Sequence, residues 1–209
     1  EQALHYPHGD TMPEPGSTME LAPGVRWIRM PLPFALDHIN LWLLRDKIEG
    51  REGWTIVDCG ITRDEVKTLW EKIFDTQLQG LPVLRVIVTH MHPDHVGLAH
   101  WLCDRWNVPL EMSMTDYMVA KLLSGRTDGG ATGGEATVQH FIRHGLIDKE
   151  SQEKIRTRTT YYSGLVPSMP NSFKRIMDGS RIRIDGHDWL AIAGYGHAPE
   201  HMSLFCADK

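Results

Sequence analysis

A nearly continuous apolar run that leads straight into a cluster of histidines constrains this chain more than any other feature. Residues 84 to 88 read LRVIV, which has the length and composition of a β-strand covered on both faces. Residues 89 to 95 then read THMHPDH. Because His90 and His92 are two residues apart in an extended segment, their imidazoles face the same side and can share one metal ion.

Two more ligand-type side chains follow in the same loop. Asp94 and His95 add a carboxylate and a third imidazole where the chain turns into a helix. Four such side chains within six residues are enough for two neighbouring ions. A polar loop with a capping carboxylate and surface histidines explains neither this density nor its position at a strand end. The segment therefore predicts a metal centre with two Zn²⁺ ions, and Fe or Mn are the alternatives.

Strands and helices alternate along the chain, which predicts an α/β fold with layered elements. The pattern predicts strands at residues 25–29, 39–44, 54–57, 84–88 and 107–110, and helices at about 62–74 and 96–106. Residues 45–53 are polar and are interpreted as a connection. The length suits one domain over residues 1–209.

Residues 115–171 have a different character and are interpreted as a helical insertion, or lid, within that domain. Helical patterns at 115–123, 135–144 and 148–162 surround a loop at 124–134 that contains five glycines. Strand character returns at 181–184, and Asp185 with Gly186 predicts a tight hairpin before a strand at 187–193.

Two motifs in this order resemble those of a known family. The segment THMHPDHVG at residues 89–97 resembles the H-x-H-x-D-H motif of the metallo-β-lactamase superfamily, and GHAPEH at 196–201 resembles its later G-H-[ST]-P-G-H element. Asp58, in the segment VDCG, matches an Asp that this family carries at a strand end. The resemblance implies a four-layer αββα sandwich and runs from about Val25 to the last residue, interrupted by the insertion.

The resemblance also implies a set of metal ligands. The residues expected to bind the first metal are His90, His92 and His197, and those expected to contribute to the second are Asp94 and His95. Three imidazoles that leave one position open also suit a catalytic zinc ion. A hydroxide held between the metals would attack an electrophilic carbonyl, and Asp94 would help to orient it.

Other residues are expected around the metals rather than on them. Asp58 would orient a ligand or its loop through hydrogen bonds, and His201 would support the site without binding metal. Tyr195 is a candidate to donate its phenol to a substrate oxygen, with a buried aromatic as the alternative. His38 is a candidate for the substrate pocket, with simple turn chemistry as the alternative.

The family pattern continues with a bridging Asp and a final His, whereas this chain stops at Lys209. We therefore expect a chain that is truncated at its C-terminus, with an incomplete second half of the sandwich.

The leading functional hypothesis is a hydrolase of the glyoxalase-II-like branch that cleaves an ester, thioester or lactone of a small molecule. The rival enzyme classes are a persulfide dioxygenase with one iron ion and, third, a nuclease or phosphodiesterase. The alternative outside enzymes is a metal-binding fragment or subunit that needs its missing half.

Composition narrows the choice of partners. The formal charge of −5 gives no general attraction to nucleic acid or to an anionic membrane. The three cysteines are far apart and show no pattern of a disulfide framework, which favours a reducing compartment. No apolar stretch reaches the length of a membrane span. We expect a cytoplasmic protein without nucleic-acid or membrane partners, and a homodimer stays open.

Overall fold

The computed structural model of the protein describes residues 7–126 and 133–209. Two β-sheets pack face to face, and helices cover the outer face of the larger sheet. This arrangement of helices on a seven-stranded sheet confirms the predicted α/β class. Most of the predicted glycine-rich loop, residues 127–132, lies outside the described residues.

The large sheet has seven strands in the same order as in the chain. They are β1 (Met19–Ala22), β2 (Val25–Pro31), β3 (His38–Ile48), β4 (Arg51–Val57), β5 (Val83–Ile87), β6 (Leu110–Ser113) and β7 (Lys174–Ile176). Pairs from β1 to β4 are antiparallel, and pairs from β4 to β7 are parallel. The carboxyl ends of β4, β5 and β6 therefore lie at one edge of the sheet.

The small sheet is antiparallel, with β9 between β8 and β10. Its strands are β8 (Arg181–Ile184), β9 (His187–Gly194) and β10 (His201–Phe205). The hairpin predicted at Asp185 and Gly186 joins β8 to β9, and both residues have positive φ. Strands β1, β7 and β10 are short and were not predicted from the sequence.

Seven described helices complete the fold. They are α1 (Asp64–Thr76), α2 (Pro93–Val96), α3 (Ala99–Trp106), α4 (Met114–Ser124), α5 (Glu135–Arg143), α6 (Lys149–Thr157) and α7 (Tyr161–Leu165). The single helix predicted at 148–162 is two helices, because the backbone of Arg158 leaves the helical conformation at the end of α6. None of the described helices is both long and apolar enough to cross a bilayer.

The interpretation of residues 45–53 as a polar connection was wrong. Strand β3 continues to Ile48, and β4 begins at Arg51. Glu49 and Gly50 both have positive φ, 51° and 83°, which forms a tight two-residue hairpin turn. The charged residues are compatible with a strand because Asp46 is fully buried against Arg85, an ion pair of 2.7 Å that the local sequence does not reveal.

Alternating residues of the large sheet build two separate cores. Leu43 of β3 packs with the helices, whereas its neighbour Leu44 packs against the small sheet. Ile56 and Val57 of β4 divide in the same way. Because successive side chains of a strand point to opposite faces, one strand serves both cores. The large sheet is therefore the central layer, and both of its faces are buried.

Polar contacts connect the two sheets at the end away from the predicted metal ligands. Arg85 donates to the backbone carbonyl of Arg183 over 2.6 Å, and the backbone N–H of Asp185 donates to Asp46 over 3.1 Å. Arg85 also pairs with Asp46 and lies 3.5 Å from Glu111. This buried group, which we call the inter-sheet ion network, fixes the β8–β9 hairpin on the large sheet.

Candidate metal centre

The three histidines predicted for the first metal meet at one point. His90 Nε2 lies 3.0 Å from His92 Nδ1 and 3.2 Å from His197 Nε2, and the latter two atoms are 3.1 Å apart. His90 and His92 follow β5 of the large sheet, whereas His197 lies in the loop between β9 and β10 of the small sheet. The histidine trio therefore forms only when the two sheets pack together.

The spacing of these nitrogens fits a single metal ion. A neutral imidazole nitrogen either donates or accepts a hydrogen bond, so three nitrogens in a triangle cannot all satisfy one another. Ligand nitrogens at tetrahedral positions around zinc lie about 3.3 Å apart, given zinc–nitrogen distances near 2.0–2.1 Å. The distances of 3.0 to 3.2 Å in the trio are close to this value. The residues present thus suit an ion of the size of Zn²⁺.

Asp58 orients His90 of the trio through hydrogen bonds to Thr89. Its carboxylate accepts the backbone N–H of Thr89 and the Thr89 hydroxyl, each over 2.8 Å. Because that hydroxyl proton goes to Asp58, the Thr89 oxygen accepts from His90 Nδ1, 2.9 Å away. His90 then carries its proton on Nδ1 and keeps the Nε2 lone pair for a metal.

The loop of Asp58 also packs directly on the ligand loop. Asp58 has a φ of 63°, a left-handed conformation that Asp tolerates better than most residues. The N–H of Cys59 donates to the carbonyl of His95 over 2.7 Å. A side chain at Gly97 would meet the carbonyl oxygen of Gly60 at 2.7 Å. Only a glycine at position 97 allows the two loops to approach this closely.

Asp94 and His95 form a second, smaller grouping beside the trio. His95 Nε2 lies 3.5 Å from Asp94 Oδ2, and His95 Nδ1 lies 2.8 Å from Asp58 Oδ2. Within the described ranges, the two do not belong to a group of three ligand-type side chains. The structure therefore brings together two of the ligands expected for a second metal, next to a complete set of three for the first.

The histidines of this centre differ in the direction in which their pKa values are shifted. Burial lowers the pKa of His90 to about 2, and the nearby His95 and His92 contribute to this lowering. Burial and His197 also lower the pKa of His92. For His95, burial lowers the pKa, but the charge and hydrogen bond of Asp58 outweigh it and raise the pKa overall. Neutral imidazoles, as metal binding requires, are thus favoured at His90 and His92.

Comparison with known proteins identifies the family of this arrangement. The family model of the Metallo-beta-lactamase superfamily matches residues 36–209. The chain belongs to the metallo-beta-lactamase superfamily. The resemblance that residues 89–97 and 196–201 carried is thereby confirmed at the level of the superfamily.

Relatives in the superfamily include two curated proteins of Bacillus subtilis (strain 168). The chain is 24% identical to the probable metallo-hydrolase YqjP over 182 residues, which are 85% of this chain and 52% of that protein. It is 28% identical to the probable metallo-hydrolase YflN over 130 residues, 62% of this chain and 42% of that protein. The chain spans about half the length of the curated relatives it matches.

Solved superfamily structures have the same fold. A beta-lactamase domain protein from Burkholderia ambifaria is 51% identical, with a TM-score of 0.87 over 97% of this chain and 56% of that one. A metallo-beta-lactamase family protein from Thermus thermophilus is 20% identical, with a TM-score of 0.67 over 89% of this chain and 56% of that one. The second likeness concerns the fold alone.

Two of the residues expected around the metals lie near the trio in the chain or in space. The ring of His201 lies 4.8 Å from that of His90, and its nitrogens are not part of the histidine trio. Tyr195 is two residues before His197 and 70% exposed, so the alternative of a buried aromatic is wrong. The role of each residue stays a prediction.

His38 lies in a different environment. Its Nδ1 is 2.7 Å from Asp37 Oδ1 and 2.8 Å from an Arg29 guanidinium nitrogen. It lines a cavity of about 490 Å³ whose other lining residues are Pro7, His8, Gly9, Asp10, Thr11, Met12, Trp27, Arg29 and Asn40. The trio is absent from the described residues that line this cavity. A substrate pocket that includes His38 stays a prediction, and its observed partners favour a charged surface contact.

Outside this centre, one further group among the described residues has ligand-type side chains close together. His187, Cys206 and Asp208 have potential ligand atoms within 4.8 Å of one another, and His187 Nδ1 lies 3.0 Å from Asp208 Oδ2. All three cysteines of the chain are free and buried. Burial raises the pKa of the Cys59 thiol well above its ordinary value.

Sequence reasoning missed three residues that hold the ligand loops. Thr89 connects Asp58 to His90, the Asp116 carboxylate accepts the backbone N–H of Met91, and the Tyr162 hydroxyl donates to the carbonyl of Met91. The spacing of Ser113 and Asp116 matches a helix start, because a Ser three residues before an acidic residue is typical of a cap. That local signal gives no indication of contact with the ligands.

We expect the metal-free protein to lose stability as the pH falls below about 6.5. Four described histidines have a lowered pKa and one has a raised pKa; the four are His90, His92, His100 and His201, and the one is His95. A lowered pKa means that the unfolded chain binds protons which the folded chain rejects, so acid favours unfolding. His95 acts in the opposite direction.

Urea unfolding with a chelator at pH 7.5 and pH 5.5 measures this effect. The free energy of unfolding should be smaller at pH 5.5, and His90→Gln should reduce the difference between the two values. Greater stability at pH 5.5 than at pH 7.5 would mean that His95 outweighs the other four.

Proposed function

We propose that the protein is a metal-dependent hydrolase that cleaves the ester, thioester or lactone bond of a small molecule, as in the glyoxalase-II-like branch of its superfamily. The observation that carries the proposal is the histidine trio, three imidazole nitrogens that converge within 3.2 Å. The names of both Bacillus subtilis relatives, which are probable metallo-hydrolases, support this class of reaction.

In this proposal the chain's own residues prepare the site for the metal. The trio would hold the first ion, and Asp94 with His95 would contribute to a second. A bound divalent metal supplies Lewis acidity toward the carbonyl and activates water as the nucleophile. Asp94, whose side chain is 24% exposed, is accessible to orient that water. Zn²⁺ is the proposed ion because neutral imidazoles are good zinc ligands.

Residues around the centre would select the substrate. Tyr195 is exposed, two residues before His197 in the chain, and would donate its phenol to a substrate oxygen. Residues 115–171 would form the lid. Two contacts place this region near the ligand loop. The Tyr162 hydroxyl donates to the carbonyl of Met91 in that loop. The ring centroid of Tyr161 lies 6.3 Å from that of Phe34, in the loop between β2 and β3.

The experiment that tests this function uses the full protein loaded with zinc. We expect hydrolysis of at least one member of a panel of carboxylic esters, thioesters and lactones, and its loss in His92→Ala purified in parallel. If zinc is bound in stoichiometric amount and no member of the panel is hydrolysed, the proposed substrate class is wrong.

A second candidate is a persulfide dioxygenase with a single iron ion. It is favoured by the division of the site, because the trio is a complete set of three ligands whereas Asp94 and His95 are only a pair. Metal analysis of the protein purified without added metal separates the two candidates. One iron per chain, with oxygen consumed when a persulfide is added, would favour the dioxygenase over the hydrolase.

A further inference from the structure

A fully buried carboxylate touches both loops that carry the histidine trio. Asp116 lies in the first turn of α4 and has no exposed surface. One of its oxygens accepts the backbone N–H of Met91 over 2.8 Å, and the other accepts the backbone N–H of Glu200 over 2.7 Å. Met91 lies between His90 and His92, and Glu200 follows His197 by three residues.

We propose that Asp116 is a positioning residue that holds the two ligand loops at the separation a metal ion requires. The inference rests on the proposed function only in that the trio is taken to bind a metal. The two loops belong to different sheets, so small shifts between the sheets would separate His197 from His90 and His92. A backbone bond from Met202 N–H to the Thr89 carbonyl, 2.9 Å long, supports the same contact. Asp116 adds one hydrogen bond to each loop from a single rigid side chain.

Tyr162 binds the same loop through the backbone carbonyl of Met91, whereas Asp116 binds it through the backbone N–H. The Tyr162 hydroxyl donates to the carbonyl of Met91 over 2.6 Å, and the side chain is buried in the core that the helices cover. Burial raises the pKa of Tyr162, and the nearby Asp116 raises it further, so the phenol keeps the proton that it donates. Both polar groups of Met91 are thus fixed by residues of the helical region between 114 and 165.

A role confined to the start of α4 does not explain these contacts. Ser113 caps this helix, because its hydroxyl accepts the backbone N–H of Asp116 over 3.3 Å. That bond uses the backbone of Asp116. The Ser113 hydroxyl also lies 3.3 Å from Asp116 Oδ2 and can donate to it, but the shorter bonds of the carboxylate are those to Met91 and Glu200 of the ligand loops. An acidic residue in the first helical turn interacts well with the helix dipole when exposed, but that interaction does not require complete burial.

The charge of Asp116 also favours a cation at the trio. Across the described parts of the chain, no Lys, Arg or His forms an ion pair with this carboxylate. A buried charge without an ionic partner is costly, and hydrogen bonds from backbone N–H groups offset only part of the cost. The charge lies close to the trio, since Asp116 Oδ1 accepts the backbone N–H of Met91, the residue between His90 and His92. A bound metal would stabilise Asp116, and Asp116 would therefore stabilise the bound metal.

Asp116→Asn tests this inference with little change of shape. The substitution removes the charge and turns one accepting oxygen into an amide that donates, opposite a backbone N–H that also donates. We expect the dissociation constant for Zn²⁺ to rise roughly tenfold to a hundredfold, the usual effect of losing a group that supports metal ligands. Competition with a chromophoric chelator, using zinc alone and the full protein, measures the constant without any assay of activity.

Asp46→Asn is the matched control. Asp46 is an equally buried carboxylate, but it belongs to the inter-sheet ion network at the other end of the molecule. The Asp46→Asn substitution should lower the thermal stability of the metal-free protein and leave its zinc affinity at the wild-type value. Equal losses of zinc affinity in the two variants would mean that any buried carboxylate has this effect, and the inference would be wrong.

The other possible results also support or overturn the inference about Asp116. An Asp116→Asn protein that folds and binds zinc as tightly as the wild type overturns the inference. If Asp116→Asn does not fold, Tyr162→Phe takes its place: a zinc affinity lowered about threefold or more supports the positioning of Met91, and an unchanged affinity contradicts it. A wild-type protein that binds zinc but hydrolyses no substrate overturns the proposed function alone.

Discussion

We expect His92→Ala to abolish the proposed binding of metal by the trio and to lower the proposed hydrolytic rate by about a thousandfold or more. His92 Nδ1 lies 3.0 Å from the nitrogen of His90 and 3.1 Å from that of His197. Without it, only two nitrogens of the trio remain, and two imidazoles hold an ion far more weakly than three. A loss of several kcal/mol of transition-state stabilisation corresponds to this factor, because each 1.36 kcal/mol is about tenfold in rate.

Plasma mass spectrometry of the metal content per chain, together with the rate on the best substrate, measures the effect. His140→Ala is the matched control, since the side chain of His140 is exposed on α5 and lies outside the trio. It should keep both metal and activity. Full metal content in His92→Ala would show that the ion binds elsewhere, and the trio would lose its proposed role.

Arg85→Met should lower the free energy of unfolding by about 3–5 kcal/mol, because it leaves the buried Asp46 carboxylate without its cation. Arg85 is 4% exposed, and it pairs with Asp46, which is fully buried, over 2.7 Å. It also donates to the carbonyl of Arg183 over 2.6 Å, so the substitution breaks a connection between the two sheets as well. Urea denaturation monitored by tryptophan fluorescence gives the value.

Arg183→Met is the control for this prediction. Arg183 pairs with Asp188 over 2.9 Å, but both side chains are exposed, so the loss should stay below about 1 kcal/mol. Removing both charges in Arg85→Met with Asp46→Leu should recover part of the lost stability, because no single buried charge then remains on that pair. If Arg85→Met is as stable as the wild type, the buried pair contributes nothing net to folding.

Two of the errors in the interpretation of the sequence have the same physical origin, a polar partner that is distant in the chain. Residues 45–53 look like a polar connection because Arg45, Asp46 and Lys47 are charged in succession. They form part of a hairpin because Asp46 finds Arg85, 39 residues away, as its partner. The roles of Asp116 and Tyr162 could not be predicted from the sequence for the same reason, since both contact Met91 from distant parts of the chain. Hydrogen-bond partners far along the sequence leave no periodic signal.

The sequence by itself determined the α/β class, the strand that ends at the histidine cluster, and the side chains that can hold a metal. These depend on periods of two and 3.6 residues and on ligand spacing within a loop, which are local properties of the chain. Only the tertiary structure decided that His197 meets His90 and His92, that Asp58 acts on His90 through Thr89, and that Asp116 joins the two ligand loops. Those contacts exist because two sheets pack face to face, and packing between distant segments is set by burial of both faces of the large sheet rather than by any short stretch of residues.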